Sequence, residues 1–383
     1  MRILRQIHKA SIARLNQNTK AGVLGLLDIS VCFSYLLAVP VPIWYAALLL
    51  GKIILLMRYG SSKASLLQVT PFIILIAISL LYTEFLEEGS FEEAFNIAGF
   101  IFSLTISVSL LRQKDILDYL YFIALLGTAI AAIYLIFVSI GLIPDHYGRL
   151  MFFNGSHPNL GGETFCMILI AALITFRSSF FLLAWLLLTS GIFLMQARAA
   201  LLVALAVLGL YLWWKFQNSG KHKLLLIMTF LTGTILFVFF GWDFLLIGTE
   251  NILLTSDESR GLGTGFVGRE ERWSQALNIF YENPFFVVVF SAFDKIGMVT
   301  PHNYFLAGIS NMGMIALFMF VYLAYCLCKV QKVDRYILAA FAPLLILMIF
   351  NDRFLNMNPY PFSAYVVIFV ISARAKKRYH SNG

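Results

Sequence analysis

Charged residues are scarce in this chain. They make up 13% of its 383 residues, whereas a soluble domain carries about 25%. Hydrophobic residues make up 60%, which excludes both a water-soluble enzyme and a disordered chain. Apolar runs long enough to cross a membrane recur from Gly22 to Ser372, and the weak alternating segments typical of an outer-membrane barrel are absent. The sequence therefore predicts an all-α polytopic membrane protein in which residues 1–383 form a single integral membrane domain.

Cysteine is also sparse. The four cysteines all lie within or at the ends of apolar runs, so no disulfide is expected in an outer loop. Cys326 and Cys328 have no further ligands nearby, which disfavours a zinc site. The P-loop pattern is missing, so ATP is not an expected energy source. We therefore expect neither a zinc site nor a cofactor.

Hydropathy predicts about twelve spans, near residues 22–39, 41–57, 66–82, 95–111, 117–142, 160–176, 180–196, 199–214, 224–241, 303–328, 336–351 and 360–373. Of the 28 Lys and Arg residues, twenty fall in the two tails and in alternate loops on one side. Cytoplasmic loops are enriched in these residues, so both tails are predicted to be cytoplasmic. The net charge of +8 therefore indicates orientation and not nucleic-acid binding.

Three polar segments are predicted on the outer side. They are residues 143–159, the tight turn around Arg198, and the long loop 242–302 between the ninth and tenth spans. A connection as long as this loop is uncommon unless it is functional. Chemistry is therefore expected at the outer face.

Charges inside the spans are few. Asp28 and Lys52 lie in the first two spans and could pair, although their depths differ, and Glu163 lies near the outer end of the sixth span. A secondary transporter usually shows more polarity at the midplane and internal repeats, and no repeat is visible here. The sequence favours chemistry at the outer face over transport.

His302 is the outer histidine with the most suggestive setting. It lies in the segment TPHNYFL just before the tenth span. A histidine at a membrane boundary, flanked by a rigid proline and a hydrogen-bonding amide, is suited to act as a general base. The alternative is an interfacial histidine that caps a transmembrane helix. The sequence leaves both interpretations open.

Arginine dominates the basic residues of the outer side. Six of the seven are arginine, namely Arg149, Arg198, Arg260, Arg269, Arg272 and Arg353, and the seventh is Lys295. The planar guanidinium binds phosphate with two hydrogen bonds and keeps its charge. Arg198 lies between two apolar runs, where a cation is costly unless it faces a partner or a wet cavity. The alternative is an arginine that only terminates two helices.

The long loop contains a predicted amphipathic helix. In residues 268–284, Trp273, Ala276, Leu277 and Phe280 recur at helical spacing, and Pro284 ends the segment. Arg269, Arg272 and Gln275 lie off this apolar stripe. The helix either presents these arginines to a polar space or only covers the bundle.

Four short motifs together resemble the bacterial O-antigen ligase and polymerase superfamily of membrane glycosyltransferases. They are SHPN at 156–159, ARAAL at 197–201, GREERW at 268–273 with NP at 283–284, and HNYFLAGISNMG at 302–313. The resemblance covers most of the chain, and three of the four motifs lie in its second half. The sequence departs from the family in two places. Ala197 replaces the usual Ser or Thr, and residues 285–289 replace a glycine-rich segment.

The resemblance implies a metal-independent transfer of a glycan from undecaprenyl diphosphate at the periplasmic face of the bacterial inner membrane. His302 matches the general base proposed for the family, Arg198 the arginine that holds the diphosphate, and Arg269 the arginine that opens the loop helix. Asn303 is expected to orient His302 and to contact the substrate. Lesser substrate-binding candidates are Arg149, Arg260, Arg272, Arg353, His157 and Asn159.

Three functions remain for this scheme. A repeat-unit polymerase, which the motif HNYFLAGISNMG favours modestly, would pass the growing glycan to another lipid-linked glycan. A ligase would use lipid A–core as acceptor. A lipid-linked glycan flippase or other transporter is the third. Expected partners are the undecaprenyl-diphosphate-linked donor, the glycan or lipid A–core acceptor and membrane lipid, with a chain-length regulator as a further candidate and no nucleic acid.

Overall fold

The computed structural model describes residues 18–37, 41–86, 91–146, 149–153, 157–218, 269–282, 284–285, 302–350 and 359–373. The helices are α1 Thr19–Ile29, α2 Val31–Leu36, α3 Val41–Tyr59, α4 Lys63–Leu86, α5 Phe91–Leu110, α6 Ile116–Ser139, α7 Pro158–Thr175, α8 Ser178–Leu194, α9 Arg198–Asn218, α10 Arg269–Glu282, α11 Tyr304–Val333, α12 Arg335–Phe341, α13 Leu344–Phe350 and α14 Pro359–Ser372. A 3-10 turn, Gln113–Asp115, precedes α6, and two short antiparallel strands, β1 Asp145–His146 and β2 Arg149–Leu150, follow it.

The expectation of an all-α polytopic membrane protein is confirmed in its main point. Among the described residues, five stretches are long and apolar enough to cross a membrane, namely Thr19–Leu36, Gln113–Ser139, Pro158–Thr175, Arg198–Gln217 and Tyr304–Val333. Shorter apolar helices accompany them. Each predicted span that falls on described residues overlaps a helix. The ninth predicted span and most of the loop 242–302 lie outside those residues, and the total of twelve stays a prediction.

Small residues let neighbouring helices approach closely. A Cβ placed on Gly25 of α1 would lie 2.5 Å from the carbonyl oxygen of Tyr119 in α6. In the same way, a Cβ on Gly162 of α7 would lie 2.6 Å from the Cβ of Ala197, just before α9. Such contacts are typical of helix packing in membranes, where association depends on van der Waals contact and not on the hydrophobic effect.

The long helix α11 reverses direction at Gly313. This residue has φ 54° and ψ −138°, which is outside the helical region. A straight helix would separate Tyr304 from Phe320 by about 24 Å, yet their ring centroids are 5.7 Å apart. A Cβ on Gly308 would likewise lie 2.6 Å from the Phe320 ring. Residues 304–312 and 314–333 therefore form a helical hairpin, and this differs from the single straight span that hydropathy predicts for 303–328.

The predicted amphipathic helix is present as α10 and packs against α11. Its Ala276 is fully buried and Trp273 is partly buried, so the apolar stripe faces the bundle. Just after α10, the carbonyl oxygen of Pro284 accepts a hydrogen bond of 2.9 Å from the amide of Met314. That amide lies at the tip of the hairpin, where the reversal removes its usual helical acceptor. The end of α10 is thereby joined to the hairpin tip.

Candidate functional site

His302 lies directly before the first half of the hairpin. Its φ of 47° places a non-glycine residue in the left-handed region, and its side chain is partly buried. Such a conformation costs about 1–3 kcal/mol and is concentrated at functional sites. The sequence signal for this residue was its position at a helix start, and the backbone conformation is a second, independent indication of function.

Asn303 fixes the start of this half-helix. Its Oδ1 accepts hydrogen bonds of 3.0 Å from the amides of Phe305 and Leu306, which makes it the N-cap. Its Nδ2 donates to the carbonyl oxygen of Ile349 at the end of α13, at 3.2 Å. The cap is therefore Asn303, which disfavours the interpretation of His302 as the capping side chain. Asn303 holds the backbone next to His302 in place, and its predicted contact with substrate stays a prediction.

Arg198 is the first residue of α9 and is partly exposed. The turn before it contains Gln196 with φ 51°, whose amide donates to the carbonyl oxygen of Phe193 at 2.9 Å. The positive end of the α9 dipole disfavours a cation at this position unless negative charge is nearby. Ala197 has no side-chain acceptor for the first turn of α9, and its own amide donates to the carbonyl oxygen of Ile192 at 3.2 Å. The guanidinium of Arg198 lies beside the amides of a helix start, which are also hydrogen-bond donors.

The amino-terminal end of α7 lies beside that of α9, because Gly162 contacts Ala197. His157 is the N-cap of α7, and its Nδ1 accepts a hydrogen bond of 3.2 Å from the amide of Asn159. In a neutral imidazole the proton then resides on Nε2, which is a donor. His157 and Asn159 are both exposed. Two parallel helix starts, an arginine and an imidazole N–H therefore lie at one end of the bundle, and this is a favourable setting for an anion.

Four further polar residues lie on the helices that connect the turn before Arg198 with the hairpin, and the sequence interpretation did not place them at the site. Glu163 follows Gly162 in α7, is 4% exposed and belongs to a helix that packs against α14, where Tyr360 is the second residue. Tyr360 is in turn close to Tyr365, and the hydroxyl of Tyr365 hydrogen-bonds that of Tyr304, two residues after His302. A continuous row of neighbours thus runs from α9 through α7 and α14 to the hairpin.

The other predicted residues are only partly described. Arg269 is the first residue of α10, as expected, and the structure describes its backbone only. Arg272, in the first turn of the same helix, is partly buried. Arg149 lies on β2, where its backbone pairs with that of His146. Arg260 and Arg353 lie outside the described residues. The described part of the chain contains no group of three His, Cys, Asp or Glu side chains that could hold a metal ion, and metal independence stays a prediction.

These features define a multi-pass helical membrane protein with polar residues at the adjacent starts of α7 and α9 and before the hairpin. A family model described as O-antigen ligase matches residues 182–321. The matched segment includes Arg198, Arg269, Arg272 and His302, and the match confirms the resemblance to the O-antigen ligase and polymerase superfamily. No curated protein matched the chain in the comparison.

Proposed function

We propose that this protein transfers a glycan from undecaprenyl diphosphate to a sugar hydroxyl at the periplasmic face of the inner membrane, with both termini in the cytoplasm. The favoured activity is polymerisation of repeat units. The acceptor is then a second lipid-linked glycan, and a chain-length regulator is a candidate partner. The family match to residues 182–321 supports a ligase or polymerase type of chemistry in general.

In the proposed reaction, the imidazole of His302 accepts the proton of the acceptor hydroxyl as its oxygen attacks the anomeric carbon of the donor. A neutral histidine is suited to this step because its ordinary pKa is about 6.5. The bond from the anomeric carbon to the phosphate oxygen breaks, and undecaprenyl diphosphate leaves with the bonding electrons. Arg198 and the amino-terminal ends of α7 and α9 stabilise the charge that develops on the diphosphate.

One observation carries this proposal. The turn before Arg198 contacts Gly162 of α7, and α7 packs against α14. Tyr365 of α14 hydrogen-bonds Tyr304, two residues after His302, so packed helices link the elements that carry the two predicted functional residues. An acid–base residue and an anion-binding residue carried by packed neighbouring elements provide the two groups that transfer from a lipid-linked diphosphate donor requires. Transport would not require a histidine in a strained conformation.

A ligase is the second candidate, because the matching family model carries that description. The ligase shares the donor and both proposed residues and differs only in its acceptor, lipid A–core. Because the two activities share a donor and differ in the acceptor, they are distinguished by the glycan products that they form.

The test is complementation of a deletion strain, followed by gel analysis of the glycans. His302→Asn removes the base, while asparagine tolerates the left-handed backbone better than most residues do. Arg198→Ala removes the guanidinium, and Arg335→Ala is the matched control because Arg335 is the exposed first residue of α12, a helix predicted to begin on the cytoplasmic side. We expect product to fall at least about a hundredfold in His302→Asn, strongly in Arg198→Ala, and not in Arg335→Ala.

The form of the residual glycan identifies the activity. Single repeat units on lipid A–core indicate loss of a polymerase, whereas free lipid-linked polymer with a bare core indicates loss of a ligase. Normal glycan chains in both His302→Asn and Arg198→Ala, at normal protein levels, would contradict the proposed function.

A further inference from the structure

A buried ion pair lies inside the helix bundle and takes no part in the proposed reaction. The Nζ of Lys52 in α3 is 2.5 Å from Oδ1 of Asp28 in α1, and each side chain is 1% exposed. The sequence suggested that these two residues could pair, although their depths differ, and the structure confirms the contact. The long lysine side chain bridges the difference in depth.

Further polar groups complete this network. Lys52 also donates a hydrogen bond to the hydroxyl of Ser103 in α5. The hydroxyl of Tyr119 in α6 donates to Oδ2 of Asp28 at 2.7 Å. Four helices of the amino-terminal half therefore meet at one pair of charges.

The network also reaches α14 by two contacts. Nζ of Lys52 lies 4.4 Å from the centroid of the Phe362 ring, a cation–π geometry. The hydroxyls of Tyr119 and Ser363 are 3.3 Å apart, within hydrogen-bond distance. Both contacts fall in the first turns of α14, between Tyr360 and Tyr365.

Stability is a poor explanation for this arrangement. Removing two charges from water is costly, and buried pairs are often no more stabilising than apolar residues of similar volume. Ionisable groups within the membrane are rare and usually serve a function. The network instead defines the position of α14. Hydrogen bonds and charge contacts fix the rotation and depth of this helix more sharply than apolar packing does.

The first turns of α14 in turn contact the hairpin. The hydroxyl of Tyr365 hydrogen-bonds that of Tyr304, which lies two residues from His302. The Phe100 ring packs edge-on against both Phe362 and Tyr365, with centroids 5.9 Å apart in each pair. A displacement of α14 at Phe362 and Ser363 would therefore be transmitted to the residues that support His302.

We infer that the Asp28–Lys52 pair, acting through Phe362 and Ser363 of α14 and the Tyr365–Tyr304 contact, positions His302 for proton transfer. This inference rests on the proposed function. The pair and its partners are positioning residues that touch neither donor nor acceptor. They set how well the imidazole is aligned with the attacking hydroxyl, so their loss changes the rate of the chemical step and leaves donor binding intact.

The mildest test severs one contact with α14. Ser363→Ala removes the hydroxyl that faces Tyr119 and keeps the side-chain volume almost unchanged. Ser372→Ala is the matched control, because Ser372 is equally buried in α14 but donates to the carbonyl oxygen of Phe369, at the other end of the helix. The purified full-length protein is assayed in detergent for kcat and for the KM of the lipid-linked donor, together with its thermal unfolding temperature.

We expect kcat to fall about three- to tenfold in Ser363→Ala, with KM and the unfolding temperature near those of the wild type, and no change in Ser372→Ala. A stronger pair of variants addresses the charges. Lys52→Met leaves a buried carboxylate without its cation and should lower kcat about tenfold or more, whereas Asp28→Asn combined with Lys52→Gln keeps hydrogen-bonding groups without charge and should recover most of the loss.

The outcomes separate this inference from the proposed function. If His302→Asn abolishes turnover while Ser363→Ala and Lys52→Met both keep the wild-type kcat, the positioning role is wrong and the proposed function stands. If Lys52→Met cannot be purified in folded form, Ser363→Ala and Tyr365→Phe decide, and wild-type kcat in both proteins overturns the inference. If wild type and His302→Asn turn over equally, the proposed function itself has failed.

Discussion

The reversal of α11 at Gly313 yields a sharp prediction, because this residue adopts φ 54° and ψ −138°. An L-amino acid with a Cβ rarely adopts that conformation, so Gly313→Ala adds strain of about 1–3 kcal/mol. The two halves of the hairpin are held together in part by the Phe320 ring, whose centroid lies 5.7 Å from that of Tyr304 and 5.2 Å from that of Phe305. Aromatic pairs contribute about 0.5–1.5 kcal/mol each beyond their buried area.

The strain from Gly313→Ala therefore roughly equals the contribution of the two aromatic pairs that close the hairpin. We expect a substantial fraction of molecules to lose the native hairpin, and activity to fall about two- to tenfold. Gly209→Ala is the matched control, because a Cβ at Gly209 in α9 meets nothing within 4 Å. Activity is measured as glycan product per amount of protein in isolated membranes.

The hairpin itself is tested by thiol cross-linking. In a protein whose four native cysteines are replaced, Gly308→Cys and Phe320→Cys are introduced together. The tip of the Phe320 ring is what reaches Gly308, so a short thiol-reactive cross-linker is used instead of a direct disulfide. A straight helix would separate these positions by about 18 Å, beyond the reach of the reagent. Cross-linking is expected, with less of it when Gly313→Ala is added, and no cross-linking, or full activity in Gly313→Ala, would refute the reversal.

Three further substitutions follow from the same packing. Gly308→Ala places a methyl group 2.6 Å from the Phe320 ring, so it should lower activity severalfold, and combining it with Phe320→Leu should restore part of the loss; no restoration would count against the contact. Gly162→Ala pushes α7 away from the turn before Arg198, so it should raise the KM for the lipid-linked donor more than it lowers kcat. Steady-state kinetics that show an unchanged KM would contradict this prediction. His157→Ala removes the N-cap of α7 and should cost about 1 kcal/mol of stability, whereas His157→Asn retains a capping side chain, so equal unfolding temperatures for the two variants would argue against the cap.

The sequence predicted the helices well because long apolar runs have few alternatives in a membrane. The hairpin was missed for a physical reason. Residues 303–328 form one apolar run, and hydropathy reports how apolar a segment is and not the direction in which it runs. The sequence signal for the hairpin is a single glycine, Gly313, which lies in the motif HNYFLAGISNMG that carries the family resemblance. The contact of Phe320 with Tyr304 is tertiary and leaves no periodic pattern.

The candidate site was predicted in part. Arg198 and His302 were identified because polar residues next to apolar runs are expensive and therefore informative. Glu163, Tyr360 and Tyr365 were not, because a single carboxylate or tyrosine near a span end is common and only the packing of α7 against α14 makes neighbours of them. Asn303 was expected to orient His302 directly, whereas its amide caps the half-helix and contacts Ile349, so its effect on the histidine passes through the backbone.

The central claim is that His302 transfers a proton in a reaction that releases undecaprenyl diphosphate. The most direct measurement follows this release by purified protein in detergent, with undecaprenyl-diphosphate-linked glycan as the sole donor and EDTA present. Wild-type protein is predicted to release undecaprenyl diphosphate together with a lengthened lipid-linked glycan, and His302→Asn at least about a hundredfold more slowly with an unchanged unfolding temperature. Equal release by folded wild-type and His302→Asn protein would contradict the account.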